Sequence, residues 1–447
     1  MSLTAASASI SRHVHRAIAV HGNNLLARLA ALTGDPYGRL EHDPDLLALG
    51  DALRSRPYVR SWTGIHLTAR HDVCAAVLRS SHASSAPPAP DGWLQRLLWS
   101  GPTPPPGHAD PVGESFVSLD GEDHARLRRL VQPAFSRSAI ARMDELTTRT
   151  AHTLIDAMDT RNPVDLVTAF AAPLPMSVIC GLLDVPYDQR TRFAAWGDAL
   201  ATGLDRARTL AAARRIDAAI VESSTALGAL VAERRRRPGD DVLSVLAAGT
   251  DDDRLDDRSV VATAAFLLIA GFETTVNLIG RGTEALLAHP EQLAAVAENP
   301  DRAVPDLVEE ALRFTSPVQY TFRTLRAPLA LPDGDELPAG TEIVLLLGAA
   351  NSDPAVFDAP NRFDPTRSDA RRHLAFGHGA HHCLGAALAR LEATAAWRVL
   401  FERFDPAAWR LAGTPEPSAG RMIRGLRSLP VHLGADRTHL ARTPSAP

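Results

Sequence analysis

The 447-residue chain contains no lysine, so all 47 of its basic side chains are arginine. That uniformity fits a GC-rich coding sequence better than any physical demand of a fold. Cysteine is scarce: Cys74, Cys180 and Cys383 lie far apart, which excludes an even-numbered disulfide framework and points to a reducing, cytoplasmic compartment. Residues 1–34 contain no Asp or Glu. Transit peptides share that bias, but no apolar signal core is present, and residues 1–49 read as a mobile or helical N-terminal extension. No apolar run reaches the ~20 residues of a membrane helix; the most apolar stretch, Val260 to Phe272, reads as a buried helix. With a net charge of -5, neither nucleic acid nor an acidic membrane surface is the expected partner.

What is present is ordinary globular composition, 45% apolar and 22% charged, with ample length for a large core. Residues 50–80 read as two short strands, Tyr58 to Ser61 and Gly64 to Thr68, and a helix from His71 to Arg79. Residues 86–115 are a Pro/Gly/Ala-rich loop with an apolar island from Trp93 to Trp99. Helical text follows from His124 to about Leu230, punctuated by prolines. The run Arg234 to Arg237 reads as the cationic end of a helix; it lacks the interleaved aromatics of a nucleic-acid patch. Residues 260–288 and 303–314 read as helices, Leu329 to Leu347 as short strands, and Met422 to Leu433 as a closing strand pair.

The most informative segment is Phe376-Gly377-His378-Gly379-Ala380-His381-His382-Cys383-Leu384-Gly385, followed by a helix-like run from Ala386 to Leu400. Gly377, Gly379 and Gly385 allow a tight turn whose amides point at the sulfur. A helix N-terminus just beyond would lower the thiol pKa. Three readings are open: a buried structural cysteine, a zinc site with His378, His381 and His382, or the thiolate ligand of a haem iron. Zinc is disfavoured because adjacent residues cannot easily converge on one tetrahedral ion and no Cys-x-x-Cys pair exists.

At this segment the chain resembles the cytochrome P450 superfamily, whose Phe-x-x-Gly-x-x-x-Cys-x-Gly signature is matched at Phe376, Gly379, Cys383 and Gly385. The resemblance implies a mainly α fold with a small β-rich side (α+β), forming one domain over residues 50–447. It implies heme b (iron protoporphyrin IX) with Cys383 as the iron ligand, and Phe376, Gly377 and Gly385 in the cofactor loop. In Ala270-Gly271-Phe272-Glu273-Thr274-Thr275 it implies the oxygen-activation motif, with Ala270 against the haem and Glu273 and Thr274 delivering protons. A helical glycine costs ~1 kcal/mol against alanine, and a local kink would offset that cost. His124 and Arg128, spaced for one helical face, match family elements that hold the haem propionates, as do Arg323 and His381. Glu310, Arg313 and Arg362 match a structural brace for the cysteine loop.

Three positions depart from the family pattern: His382, Ala387 and Ser352. None removes a ligand, and His382 stands where it could shift the iron potential through the sulfur's surroundings. The implied activity is that of a monomeric, membrane-free monooxygenase that inserts one atom of O2 into a small-molecule substrate. No Gly-x-Gly-x-x-Gly fingerprint for flavin or nicotinamide appears. Electrons are therefore expected from a ferredoxin and an NAD(P)H-dependent ferredoxin reductase, docking near Arg126, Arg129 and Arg390. By analogy the pocket is lined by Trp93 to Trp99, Phe266, Leu267, Ala270, Pro317 to Tyr320, Met422 and Ile423. Rival readings are a peroxygenase, which has no need to retain the Glu273–Thr274 pair, and a non-catalytic haem binder.

Overall fold

The computed structural model describes residues 3–43, 45–86, 104, 107–205, 207–239, 241–248 and 256–437. The apolar island Trp93 to Trp99 lies outside them. The fold is organised on the helix Asp257–Ala288. Asp256 caps it by accepting from the Ser259 amide at 2.7 Å, and Pro290 opens the next helix directly after it. By length and composition alone this helix could cross a membrane, contrary to the sequence reading that nothing is long enough. Its surroundings decide otherwise, since most of its apolar residues are buried against the helices Pro173–Leu182, Arg190–Thr202 and Leu210–Arg236.

On its other side pack Pro300–Thr315 and the cysteine-proximal helix Ala386–Arg403. Trp397 fixes that contact. It is fully buried, its indole N–H donates to Thr283 Oγ1 at 3.0 Å, and a Cβ on Gly282 would lie 2.5 Å from its ring. Glycine here permits close approach of two helices.

The β-rich side is a five-stranded sheet in the order Val59–Arg60, His66–Thr68, Glu342–Leu345, Thr321–Leu325, Ala83–Ser84. Pairing of Ser84 with Thr324 carries the following Ser85 toward the cysteine loop. The segment expected as one closing strand pair splits instead. Leu426–Ser428 pairs with Glu416–Pro417, while Pro430–His432 joins Val164–Asp165 and Arg410–Leu411. Pro430 starts the second strand at once, leaving no turn for a hairpin. The N-terminal segment forms the helix Leu3–Leu32, and Asn24 Nδ2 donates to the Arg208 carbonyl at 2.9 Å. The Arg234–Arg237 run ends the helix Leu210–Arg236 as expected, and Arg234 is bound internally, 2.9 Å from Asp241 and 2.7 Å from Asp184.

Behind the cysteine loop lies the brace. Glu310 and Arg313, one helical turn apart, form a bidentate pair at 2.7 and 2.8 Å with both side chains at 0% exposure. Arg313 spends its remaining donors on the carbonyls of Asn351, Pro360 and Arg362 at 2.9, 2.8 and 3.1 Å. The third guanidinium is not that of Arg362, whose side chain is 64% exposed. Arg367 takes that place, with Nε 3.0 Å from Glu310 Oε2. The chain turns after Arg362, so its carbonyl faces the brace while its side chain points to solvent. Asn351 then passes the constraint on: its side-chain oxygen accepts from the Leu374 amide at 2.7 Å, two residues before Phe376. Breaking a buried pair on one side typically costs 3–5 kcal/mol. Glu310→Gln should therefore lower the unfolding free energy by about 3–5 kcal/mol in urea titrations, Arg367→Gln by less, and Arg362→Ala by under ~0.5 kcal/mol; equal losses for Arg362→Ala and Arg367→Gln would refute this assignment.

Candidate functional site

The loop folds around its own backbone. The Cys383 amide donates to the Phe376 carbonyl at 2.8 Å, closing a turn in which Gly377 and Gly379 take φ of +67° and +68°. A Cβ on Gly379 would lie 2.5 Å from the Leu78 carbonyl oxygen. Gly385 has an ordinary φ of -84°, so of the three glycines expected to shape the turn only two are required by it. Cys383 is accessible to solvent. Its thiol pKa is raised, not lowered as the adjoining helix suggested: crowding by protein outweighs the Gly385 hydrogen bond and the guanidiniums of Arg128 and Arg390. A bare thiol is the favoured form until a cation binds the sulfur.

Beside the loop, the sequence-distant donors converge. The His124 and His381 rings lie tilted by 35° with centroids 4.1 Å apart, and Arg128 donates to the His382 carbonyl at 2.7 Å. His381 Nε2 lies 3.3 Å from Asp120 and 3.2 Å from Ser85 Oγ. Burial, then the neighbouring charges of His124 and Arg323, push His381 down to about 4. Burial and then Arg128 push His124 down as well. Both rings are therefore neutral at pH 7, and His124 Nε2 is buried with no hydrogen-bond partner. Burial pushes the Arg323 guanidinium down to about 10 against the pull of Asp120. The desolvated Arg323 guanidinium, whose Nη1 donates to Thr321 Oγ1 and the Phe322 carbonyl, and the unpartnered His124 Nε2 fit an anionic group beside them.

Asp120 and Ser85 were missed by sequence reading. Asp120 precedes the helix Gly121–Val131 in the position of an N-cap, yet its carboxylate turns away to Arg326, 2.8 Å distant, and to Ser84, Ser85 and His381. No local signal distinguishes it from a capping residue.

Along the Asp257–Ala288 helix, Ala270 to Thr274 are half-exposed where the flanking turns are buried. Phe266, on the same helix, meets Phe116 edge-on at 5.6 Å, and Phe116 lies 6.5 Å from His124. The helix is unbroken across Gly271, and the glycine admits Ile179, which a Cβ would meet at 3.1 Å. Thr274 Oγ1 donates to the Ala270 carbonyl at 2.9 Å, leaving its lone pairs free to accept. Burial, then the charges of Asp198 and Asp205, raise Glu273 to about 8, and its Oε2 is buried without a partner. Glu392, on the Ala386–Arg403 helix, is hydrogen-bonded to Thr275 and pushed up by burial. The sequence signal for it was an acid within an apolar helical run.

A thiol in a glycine turn, neutral imidazoles beside a desolvated guanidinium, and an accessible acid–alcohol turn fit a planar iron group with carboxylate arms. Among the described residues no cluster of three or more His, Cys, Asp or Glu could hold a bare metal ion, which removes the zinc reading there. A sequence profile of the family Cytochrome P450 matches residues 223–422. The chain is 40% identical over 336 residues to cytochrome P450 107B1 of Saccharopolyspora erythraea, spanning 74% of this chain and 80% of that one. It is 39% identical over 327 residues to 6-deoxyerythronolide B hydroxylase of the same organism, spanning 70% and 76%. The crystal structure of P450BioI bound to a hexadec-9Z-enoic acid-ligated acyl carrier protein superposes with a TM-score of 0.78 at 31% identity, covering 89% of this chain and all of that one. This chain is a cytochrome P450.

The P450 carries heme b and is an oxidoreductase of the monooxygenase class. Bound haem supplies the activation of dioxygen, and the protein supplies ligand, counter-charges and protons. Cys383 would ligate the iron of a haem bound here, and His124, Arg128, Arg323 and His381 would hold its propionates. Burial raises the Glu273 carboxyl to about 8 and so favours its protonated form at pH 7, while Thr274 Oγ1, donating to the Ala270 carbonyl, keeps lone pairs free to accept. A buried acid with a raised pKa contributes stability that is complete below ~4.3, the unfolded glutamate value, and is lost as pH rises through about 8. Unfolding midpoints in urea should therefore fall between pH 5 and 8.5 for the wild type and fall less for Glu273→Gln; identical slopes would contradict the assignment.

Proposed function

We propose that this cytochrome P450 hydroxylates or epoxidises a natural-product small molecule, as a monomer in the cytoplasm, with electrons from a ferredoxin and its NAD(P)H-dependent reductase. The observation that carries the reading is the accessible Ala270–Thr274 turn, on a helix tied to the Cys383 helix through Thr275 and Glu392. Two expected pocket segments meet. Val318 bridges Ile423, and the Gln319 amide donates to the Met422 carbonyl at 2.7 Å. Tyr320 and Ile423 are buried beside them, which gives the apolar wall with few polar handles expected of a small-molecule site.

The relative named as a 6-deoxyerythronolide B hydroxylase supports a biosynthetic substrate. Within that class, selectivity lies with the wall residues rather than with the proton path. Retention of Glu273 and Thr274 favours dioxygen with electron transfer over direct use of peroxide, since peroxide arrives already reduced and brings its own protons. A non-catalytic haem binder has no use for the pair at all.

For the reductant, Arg390 is no longer a free docking cation, because its Nε and Nη2 donate to Glu309 and its Nη1 to the Ala386 carbonyl. Arg129 is exposed and Arg126 is partly so, and these remain for an acidic carrier. Reduction by a surrogate ferredoxin should slow as salt is raised from 0.05 to 0.5 M, and more steeply for wild type than for Arg129→Gln; a salt-independent rate would remove this surface. The assignment as a whole is tested by the ferrous carbon monoxide spectrum, which should be of thiolate type and be abolished in Cys383→Ala. A ligand screen by haem spectrum, followed by mass spectrometry of oxygen-dependent products, then identifies the substrate. Thr274→Ala should bind the same ligands while yielding ~10–100-fold less product per NAD(P)H consumed.

A further inference from the structure

Arg390 touches both ends of the cysteine loop. It lies on the helix that Cys383 leads into, and its guanidinium carbon stands 4.5 Å from the centroid of the Phe376 ring. The carbonyl of that phenylalanine accepts from the Cys383 amide. The Arg390 cation thus stands against the ring at one end of the loop whose other end is the sulfur. Arg128 spends a donor on the His382 carbonyl, but Arg390 is held by a carboxylate, with Nε and Nη2 donating to Glu309 at 2.6 and 3.0 Å.

Glu309 is 2% exposed and sits next to Glu310 of the brace on the Pro300–Thr315 helix. His373 Nε2 lies 3.3 Å from its Oε2, and Arg371 lies 3.8 Å from its Oε1. Burial pushes this carboxyl up, but His373 and Arg390 outweigh it and hold it at about 2, so it is ionised throughout the working range. The His373 ring also faces Phe376, with centroids 5.8 Å apart. The buried anion is thus built into the support of the loop and is the direct counter-charge of the cation nearest Phe376.

We infer that Glu309 is a positioning residue that sets, through Arg390, how much positive charge the Cys383 thiolate feels, and thereby the reduction potential of the bound haem. The electrostatics fix the signs. Reducing the haem iron by one electron adds one negative charge to the thiolate–iron unit. A bare Arg390 cation stabilises that charge, and a missing one does not. Glu309→Gln leaves the cation uncompensated and raises the potential. Arg390→Gln lowers it, and the double variant falls between the two. The dependence is flat from pH 5 to 8 as far as Glu309 is concerned.

The test is a dithionite potentiometric titration of the holoprotein and of each variant, with the ferrous carbon monoxide spectrum confirming thiolate ligation. Shifts of opposite sign for the two single variants, with the double variant nearer wild type, support the inference. Shifts of the same sign, or none, overturn it and leave the pair a purely structural clamp. Arg390→Lys and Glu309→Asp keep both charges while disturbing the geometry. They guard against loss of haem in the neutral variants: wild-type potentials support charge as the cause, and shifts as large as those of the neutral variants, or a shift in these two alone, overturn it.

Discussion

The cysteine loop of this P450 is held by an ion pair buried away from solvent. Glu310 and Arg313 are wholly buried, and a pair so placed has lost its hydration. It persists only because its hydrogen-bonding capacity is filled by Asp364, Asn351, Pro360 and Arg362. The result is a rigid node rather than a large gain in stability. Through Asn351 it fixes Leu374, and so the approach to Phe376 and Cys383. Glu309 extends the same helical turn toward Arg390, so one stretch of helix carries both the mechanical support of the loop and a charge close to it.

The reactive surroundings are built on the opposite principle, with polar groups left short of partners. His124 Nε2, Glu273 Oε2 and Glu392 Oε2 are buried without hydrogen bonds, and Arg323 is desolvated. In a core such groups would be faults. Here Glu273 lies in the accessible turn and His124 beside the loop, where a cofactor, substrate and water can bring the missing partners. The filled hydrogen bonds of the Glu310–Arg313 pair and the unpartnered groups in front of the loop follow from two tasks, since one must hold still and the other must bind and transfer protons.

Sequence reading located the loop, the acid–threonine turn and the two-residue elements around His124 and Arg323, because those signals are local spacings. It failed where chain direction matters. Arg362 was picked for the brace, but the turn after it sends its side chain to solvent and delivers Arg367. Asp120 has the local appearance of a helix cap, yet it bonds across the fold to Arg326 and His381. The thiol was expected to be acidified by its helix, whereas desolvation dominates and raises it.

By itself the sequence determined which helix is central, where a thiolate can be offered, and which acid stands beside which alcohol, since these are set by residues a few positions apart. Only the tertiary structure decided which cations are free and which are spent, that Glu273 is neutral at pH 7, and that an apolar helix long enough for a membrane is an interior one. Those properties are set by desolvation and by partners from remote segments, and neither is encoded at any single position.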